Sequence, residues 1–389
     1  MVGSGPAGQF NAVLGVLLVS FSRHSHQRSF VPVFQDHPRT RILAVADFPD
    51  VEPALGALNR EWAARLQVPY LEDIEAALGL AGVQIVSIGH EIERRADLAI
   101  RAARAGKHLW IDKFIGATVE ECDAVVRAVA AAGVKAVVPS FAYGELLRQA
   151  RALLESGRLG ELLGAHVDVH FAKGWPRPLP TGAAPQPFRA PGRWKYPDLK
   201  REVLTVGSYG VGLAQACLER VAHVVGQAGA YFFAEHAAAG VDDFGTLTLC
   251  DPEGRTVTLS AGRVGAGTHA QGGTARAYLI GTRATAVLDG RRPALEVHLR
   301  DEVARAEYRP AAEDPMQWAS GPPVQAVGLA PDPVGLTAAL DDLICAVDHG
   351  TEVAYPMPAA RHLMEILIAG YWSVLRGEGV ALPLPRGDG

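Results

Sequence analysis

The chain reads as an α/β protein with two parts: an amino-terminal, doubly wound parallel sheet and a carboxyl-terminal α/β domain with a large, mainly antiparallel open sheet. Three observations carry this. Short aliphatic runs alternate with amphipathic stretches from Asn11 to about Phe141, the rhythm of βαβ units. Beyond Phe141, segments that alternate apolar and polar residues dominate, which suits antiparallel strands with one covered face. The 389 residues exceed the soft size of one domain, so two are expected, 1–141 and 142–389.

In the first part the expected strands are AVLGVLLVSF (12–21), RILAVAD (41–47), VQIVSIG (83–89), HLWID (108–112) and AVVPSF (136–141). Between them Gln27 to Asp36, Pro53 to Leu66, Ile74 to Leu80, Arg94 to Ala105 and Val119 to Ala132 place apolar residues at helical spacing. Strands that are apolar on both faces must be covered on both faces, hence the double winding. In the second part a helix from Glu145 to Glu155 stops at Ser156-Gly157. The strands AHVDVHF, VAHVVGQAGAYFF, DFGTLTLC, TVTLSAGRVG, ARAYLIG, ATAVLD and ALEVHLR follow, with turns at DPEGRT and LDGRRP. Lys173 to Arg201 is rich in proline and without periodicity, the character of an irregular loop over a site. Helices from Leu336 to Asp348 and from Pro358 to Leu375 close the chain.

Composition narrows the partners. The net charge is −5 with no basic stripe, which argues against nucleic acid and for a small polar metabolite. The four cysteines have no CxxC spacing and read as buried, reduced thiols in a cytoplasmic protein. The apolar run from Ala12 to Phe21 is too short for a bilayer, and no basic n-region frames it, so no membrane partner is expected.

The most informative stretch is Ala105 to Glu121, AGKHLWIDKFIGATVEE, where a buried strand ends on Asp112-Lys113 and a helix opens. A lysine at the carboxyl end of such a strand points into the crevice where these sheets bind ligands. A merely solvated lysine at the strand exit is the alternative. Gly3, Gly5 and Gly8 have the GxGxxG spacing but precede the first strand, so they lack the strand-to-helix context that lets glycines cradle a pyrophosphate. They read as part of a loose terminus. At the proper place, after Val19, the sequence is SFSRHSHQRSF, with no glycine.

Three readings of that turn stand open. Ser20, Ser22, Arg23 and His24 can offer side-chain donors to a phosphate in place of bare amides. His24 and His26 can chelate a metal from a loop, with His90 or Glu91 as further ligands, although no tightly spaced Cys or carboxylate completes the set. The turn can also be a polar loop that binds nothing. Asp47, ending the second strand, suits the adenosine ribose of NAD and disfavours NADP; capping the helix that starts at Pro53 is its alternative.

Five blocks in order resemble the glucose-fructose oxidoreductase, inositol dehydrogenase and MocA family: RILAVAD; LAIRAARAGKHLWIDKFIGATVEE; LLESGRLGELLGAHV; VGSYGVGLAQACL; and AGYWSVLRGEGVALPL. The resemblance implies a Rossmann dinucleotide-binding domain at 1–141 and, at 142–389, a domain that binds substrate and pairs copies of the chain through its open sheet as a homodimer or homotetramer. It implies a nicotinamide-dependent oxidoreductase that takes NAD, and NADP less readily, and acts on a hydroxyl or ketone of a sugar-like or cyclitol-like substrate. Lys113 matches the lysine of the family's EKP block, with Asp112 for the glutamate and Phe114 for the proline. Tyr209 falls where many members carry the catalytic histidine, and some carry tyrosine there. Gly212 and Thr205 replace two family aspartates, and His90 to Arg95 replaces the TPNxxH segment, which places His90 and Asp112 beside the cofactor.

A tyrosine titrates near pH 10, and a neighbouring ammonium favours its phenolate, so Tyr209 with Lys113 makes a sensible acid-base pair. Tyr209 packed into the interior is the alternative. The loop from Lys173 to Arg201 holds seven basic residues against Asp198 alone. Arg193 and Lys195 there, with Trp194 to stack on a sugar ring, suit an anionic substrate such as a uronate or sugar phosphate. Two rival classes keep the fold: a redox-neutral lyase or hydrolase that recycles NAD or uses a metal, and a non-catalytic sensor.

Overall fold

The computed structural model of the protein describes residues 12–22, 24–139, 143–171, 200–264, 274–290, 294–299, 307–308, 318–319, 325–327 and 335–385. The chain divides into two compact units. The first takes in Met1–Ser140 and also Gly335–Met364; the second takes in most of what lies between and Glu365–Gly389.

In the first unit, β1 (Leu14–Val19), β2 (Thr40–Ala46), β3 (Tyr70–Leu71), β4 (Val83–Ile88), β5 (His108–Ile111) and β6 (Ala136–Val137) form one sheet in the order β3-β2-β1-β4-β5-β6. Every neighbouring pair is parallel. The intervening helices are α1 (Gln27–Asp36), α2 (Pro53–Leu66), α3 (Ile74–Leu78), α4 (Ile92–Arg104) and α5 (Val119–Ala132). The last expected strand shortens to Ala136–Val137, because Pro139 cannot donate to a ladder.

All six residues of β1 are buried, as a strand covered on both faces requires. Helix α1 docks on β5 through Phe30 and Phe34, whose rings meet Trp110 edge-on at 5.4 and 5.2 Å. Helix α5 starts on its N-cap Thr118, whose Oγ1 accepts the Glu121 amide, while Glu121 Oε2 reaches back to accept the amide of Ala117 just ahead of the cap.

The segment Gly335–Met364 belongs by its contacts to this unit, a finding that a two-part division at 141 does not contain. Arg39 forms a two-pronged ion pair with Asp348 at 2.9 and 3.0 Å, and Arg361 pairs with Asp123 at 2.7 Å. Lys135 donates to the Gly350 carbonyl at 2.9 Å.

The second unit is built on a nine-stranded sheet. In chain order its members are β7 (Leu162–Phe171), β8 (His223–Gly229), β9 (Phe244–Cys250), β10 (Thr256–Arg263), β11 (Ala275–Gly281), β12 (Ala284–Asp289) and β13 (Ala294–Leu299). After a separate two-stranded pair, β14 (Glu307–Tyr308) with β15 (Trp318–Ala319), come β16 (Gln325–Val327) and β17 (Val380–Ala381). The order is β16-β13-β12-β11-β7-β10-β9-β8-β17, antiparallel except where β7 runs parallel to β10. Helices α6 (Glu145–Glu155), α7 (Glu202–Cys217) and α8 (Ala234–Ala239) belong here, while α9 (Leu336–His349) lies in the first unit and the division between units falls inside α10 (Met357–Arg376).

Helix α7 is buried along most of its length, and its amino end is closed by Asp242, which accepts the Val203 amide at 2.7 Å, and by Tyr371, whose hydroxyl accepts the Leu204 amide at 3.0 Å. Cys122 and Cys217 are buried free thiols as expected. Cys250 is half-buried and Cys345 exposed, contrary to expectation, because Cys345 sits on the outer face of α9 between buried Ile344 and Ala346. No helix among the described residues is long and apolar enough to cross a membrane.

Candidate functional site

Beta-strand 1 lies between β2 and β4, so the chain leaves it in opposite directions, and the carboxyl ends of these strands form the crevice where open α/β sheets take ligands. A cavity of about 340 Å³ opens there, lined among others by Ser22 from the β1–α1 turn, Asp50 and Glu52 ahead of α2, and His90, Glu91 and Arg94 at the start of α4.

The turn after β1 takes the shape that glycine usually provides, but with serine. Ser20 has φ +64°, in the left-handed region. Ser20, Ser22 and Ser25 stand at the G-x-G-x-x-G spacing, a signal present in the sequence as S-x-S-x-x-S that a search for glycine passes over. Ser20 is closed to solvent and its hydroxyl meets no hydrogen-bond partner, whereas Ser22 lines the cavity and accepts the His24 amide at 3.3 Å. Ser25 is spent on the turn, donating to the Ser22 carbonyl at 2.9 Å. Next to the turn Phe21 stacks on Trp62, centroids 4.8 Å apart, and its amide donates to Asn59 at 2.9 Å. Arg23 lies outside the described residues.

Asp47 turns inward. It is fully buried; one oxygen accepts Asn59 Nδ2 at 2.7 Å, and the other accepts the Phe48 amide at 2.9 Å and lies 3.1 Å from His90 Nε2. It caps no helix: the N-cap position of α2 is Glu52, and no side chain caps it. His90 is buried with it, and its Nδ1 accepts the Glu91 amide at 2.7 Å. The carboxylates that do face the cavity are Asp50, Glu52 and Glu91. Asp50 forms a two-pronged pair with Arg94 at 2.6 and 2.7 Å, and Arg94 also lies 4.9 Å over the Phe48 ring.

At the exit of β5, Asp112 is fully buried and doubly held by His26, whose amide donates at 2.7 Å and whose Nδ1 lies 2.9 Å away. The Lys113 amide donates to it at 2.8 Å, and Arg95 stands 3.9 Å off. Against the cost of burial, His26, through its ring and its amide, and Arg95 hold the Asp112 carboxyl well below the usual carboxylate range. Arg95 is buried with its guanidinium spread over three carbonyls: His90, Asp112 and Phe114. Lys113 is 8% exposed, with Nζ 6.0 Å from the Phe114 ring. Sequence reasoning missed Arg95, since nothing in its spacing separates a buried guanidinium from a helix-surface one.

Serine 22, His90, Lys113 and Asp112 therefore share one end of one sheet, with Asp47 beneath it. His24 and His26 share the turn, but among the described residues no three His, Cys, Asp or Glu side chains are grouped to hold a metal, and His26 Nδ1 is turned to Asp112. Tyr209 belongs to the second unit, half-buried on α7 with its ring 6.0 Å from that of Phe171. Arg193, Trp194 and Lys195 lie outside the described residues.

The first unit fits a dinucleotide in altered form: the cavity stands at the switch point, the turn keeps a glycine-like shape, and of its three serines Ser22 lines the cavity. Two family profiles match the chain: an oxidoreductase family with an NAD-binding Rossmann fold over residues 19–140, and the GFO/IDH/MocA C-terminal domain over 147–287. Among solved structures, a putative NADPH-dependent oxidoreductase from Desulfitobacterium hafniense superposes with a TM-score of 0.70 at 14% identity, over 96% of this chain and 98% of its own. A putative myo-inositol dehydrogenase from Sinorhizobium meliloti gives 0.67 at 17% identity, over 95% and 100%. The WlbA dehydrogenase from Bordetella pertussis, in complex with NADH and UDP-GlcNAcA, gives 0.67 at 17%, over 96% and 100%. These identities establish the fold. No curated protein matches the chain.

Proposed function

This chain belongs to the GFO/IDH/MocA family of NAD-binding oxidoreductases, and from that premise we propose that it oxidises a hydroxyl, or reduces the matching ketone, of a sugar-like or cyclitol-like substrate with NAD. Bound NAD supplies the hydride acceptor; the chain supplies the binding and the handling of the proton. The observation that carries the reading is the cavity at the switch point with Lys113 and Asp112 at the same end of the sheet.

NAD is preferred over NADP because Asp50, Glu52 and Glu91 set three carboxylates around that cavity and Arg94, the one cation lining it among the described residues, is engaged by Asp50. A 2′-phosphate would meet that negative field. The ribose-recognising role expected of Asp47 passes in this reading to Asp50 or Glu52. Ser22 holds the diphosphate side.

In the first unit Lys113 is the catalytic candidate, its ammonium easing loss of the substrate hydroxyl's proton. In the second unit Tyr209 is the candidate, matching the family position on α7. An anionic sugar such as a uronate is the favoured substrate class. Support comes from the basic residues around Arg193, Trp194 and Lys195 and from the sugar nucleotide bound by the Bordetella dehydrogenase. A soluble, cytoplasmic homo-oligomer, paired through the open face of the large sheet, is part of the same reading. That face carries exposed Tyr278 and Val225, 43% and 45% accessible, in one cross-strand row through His166, Thr258 and Thr248.

Calorimetric titration with NAD and NADP, followed by a panel of sugars, uronates and cyclitols monitored at the NADH absorbance, tests the reading. Micromolar NAD binding and turnover that falls on the order of 10²-fold or more in Lys113→Met and in Tyr209→Phe are expected. No binding at millimolar NAD overturns it.

A further inference from the structure

The pairing of His26 with Asp112 has the form of a base and the carboxylate that orients it. Asp112 is fully buried, whereas the His26 side chain is 41% exposed. Two contacts lock them, the His26 amide to Oδ2 at 2.7 Å and Nδ1 to Oδ1 at 2.9 Å. An ionised carboxylate only accepts, so Nδ1 carries the hydrogen, and the lone pair of the neutral ring lies on Nε2. Nε2 is on the opposite edge of the ring and so points away from the buried carboxylate.

The frame around the pair is rigid. Gln27, next in the chain, is buried and exchanges hydrogen bonds with Ser87 of β4 at 2.8 and 3.3 Å, which pins the start of α1 to the sheet. Arg95 fixes the other side by holding the carbonyls of Asp112 and Phe114 at 3.2 and 3.0 Å. His90, the other imidazole at this end of the sheet, has the opposite arrangement: it is buried and its Nδ1 accepts the hydrogen bond of the Glu91 amide, so it offers no base to a ligand.

The geometry points to His26 as the general base of the reaction, with Asp112 as the positioning residue that sets its tautomer, one residue before Lys113. This rests on the oxidoreductase reading and deepens it. In the oxidative direction the substrate O–H bond breaks and a bond from Nε2 to hydrogen forms. The electron pair left on oxygen closes the C=O bond as the carbon's hydrogen leaves with its own pair to the oxidised nicotinamide dinucleotide. The imidazolium, stabilised by Asp112, then returns the proton to solvent. Lys113 is left to hold the oxygen.

Nitrogen-15 NMR of the imidazole rings in the protein without cofactor reads the tautomer directly. His26 should be the Nδ1–H form, and Asp112→Asn should shift it toward Nε2–H; an Nε2–H ring in the wild type overturns the assignment. In turnover with NAD, His26→Ala should lose on the order of 10²–10⁴-fold in kcat with NAD affinity unchanged, and added imidazole should restore part of the rate. His26→Gln, which keeps a donor for Asp112, should lose as much while unfolding like the wild type. Variants that retain wild-type kcat overturn the assignment and leave the oxidoreductase reading in place, because NAD-linked turnover is then still present. A wild type that binds no NAD defeats the oxidoreductase reading itself and the base assignment with it, while the tautomer measurement still reports whether the His26–Asp112 pair exists.

Discussion

Asp47 Oδ1 and His90 Nε2 lie 3.1 Å apart with both side chains closed to solvent. The contact falls short of hydrogen-bond alignment, yet with Nδ1 occupied by the Glu91 amide the ring's proton faces the carboxylate. The pair joins the ends of β2 and β4. Asp47→Ala strands the Asn59 and Phe48 donors and should cost about 1–3 kcal/mol in denaturant unfolding. The NAD to NADP affinity ratio of that variant should stay at the wild-type value.

The cofactor preference should instead respond to Asp50 and Glu52. Replacing both with serine removes two carboxylates from the cavity and releases Arg94 from its two-pronged pair. A guanidinium so released suits a 2′-phosphate. The expected outcome is a shift toward NADP on the order of tenfold or more, about 1.4 kcal/mol, read by titration with both dinucleotides.

Serine 20 holds a backbone conformation that costs an L-residue about 1–2 kcal/mol, with its hydroxyl unpartnered. Ser20→Gly should therefore unfold at equal or higher denaturant concentration than the wild type. Ser20→Val, β-branched and unable to relax there, should unfold earlier.

Glycine 89 follows β4 and lies against this turn. A Cβ there would lie 2.7 Å from the Ser20 carbonyl oxygen and 2.7 Å from Gln27 Cβ. Gly89→Ala must push the turn or the start of α1, with an expected loss of about 1–3 kcal/mol and weaker NAD binding in the same titration.

In the second unit, burial lifts the Asp242 carboxyl to about 6, against the opposing pull of the Val203 amide, Arg201 and Tyr371. A carboxyl whose folded value exceeds its unfolded value binds protons more readily when folded. Its contribution is thus fully present below about pH 4 and lost as pH rises through about 6. Asp242→Asn should remove a slope on the order of 2–3 kcal/mol across that window, seen as the difference between wild-type and variant unfolding curves at pH 4, 5, 6 and 7.

The strands and helices of the first unit were legible because their apolar spacing is strong: Gln27–Asp36, Pro53–Leu66 and Val119–Ala132 fall on the expected residues. The antiparallel sheet followed from alternation, and the parallel β7–β10 pair did not, because alternation carries no strand direction. At the site, the strand exit at Asp112-Lys113 was readable from sequence. The inward turn of Asp47 was not, since its partners Asn59 and His90 lie on α2 and beyond β4, and only the fold brings them together. The partnership of His26 with Asp112, 86 positions apart, is of the same kind.

Because Gly335–Met364 completes the first unit, a ribosome must translate through residue 364 before the unit begun at β1 can finish assembling. The strands up to residue 140 emerge early, while the partners of Arg39, Lys135 and Asp123 follow them by 215 residues or more. Vectorial, domain-by-domain folding is thus closed to this chain, and an expression fragment cut at the sheet boundary would leave those three side chains facing water.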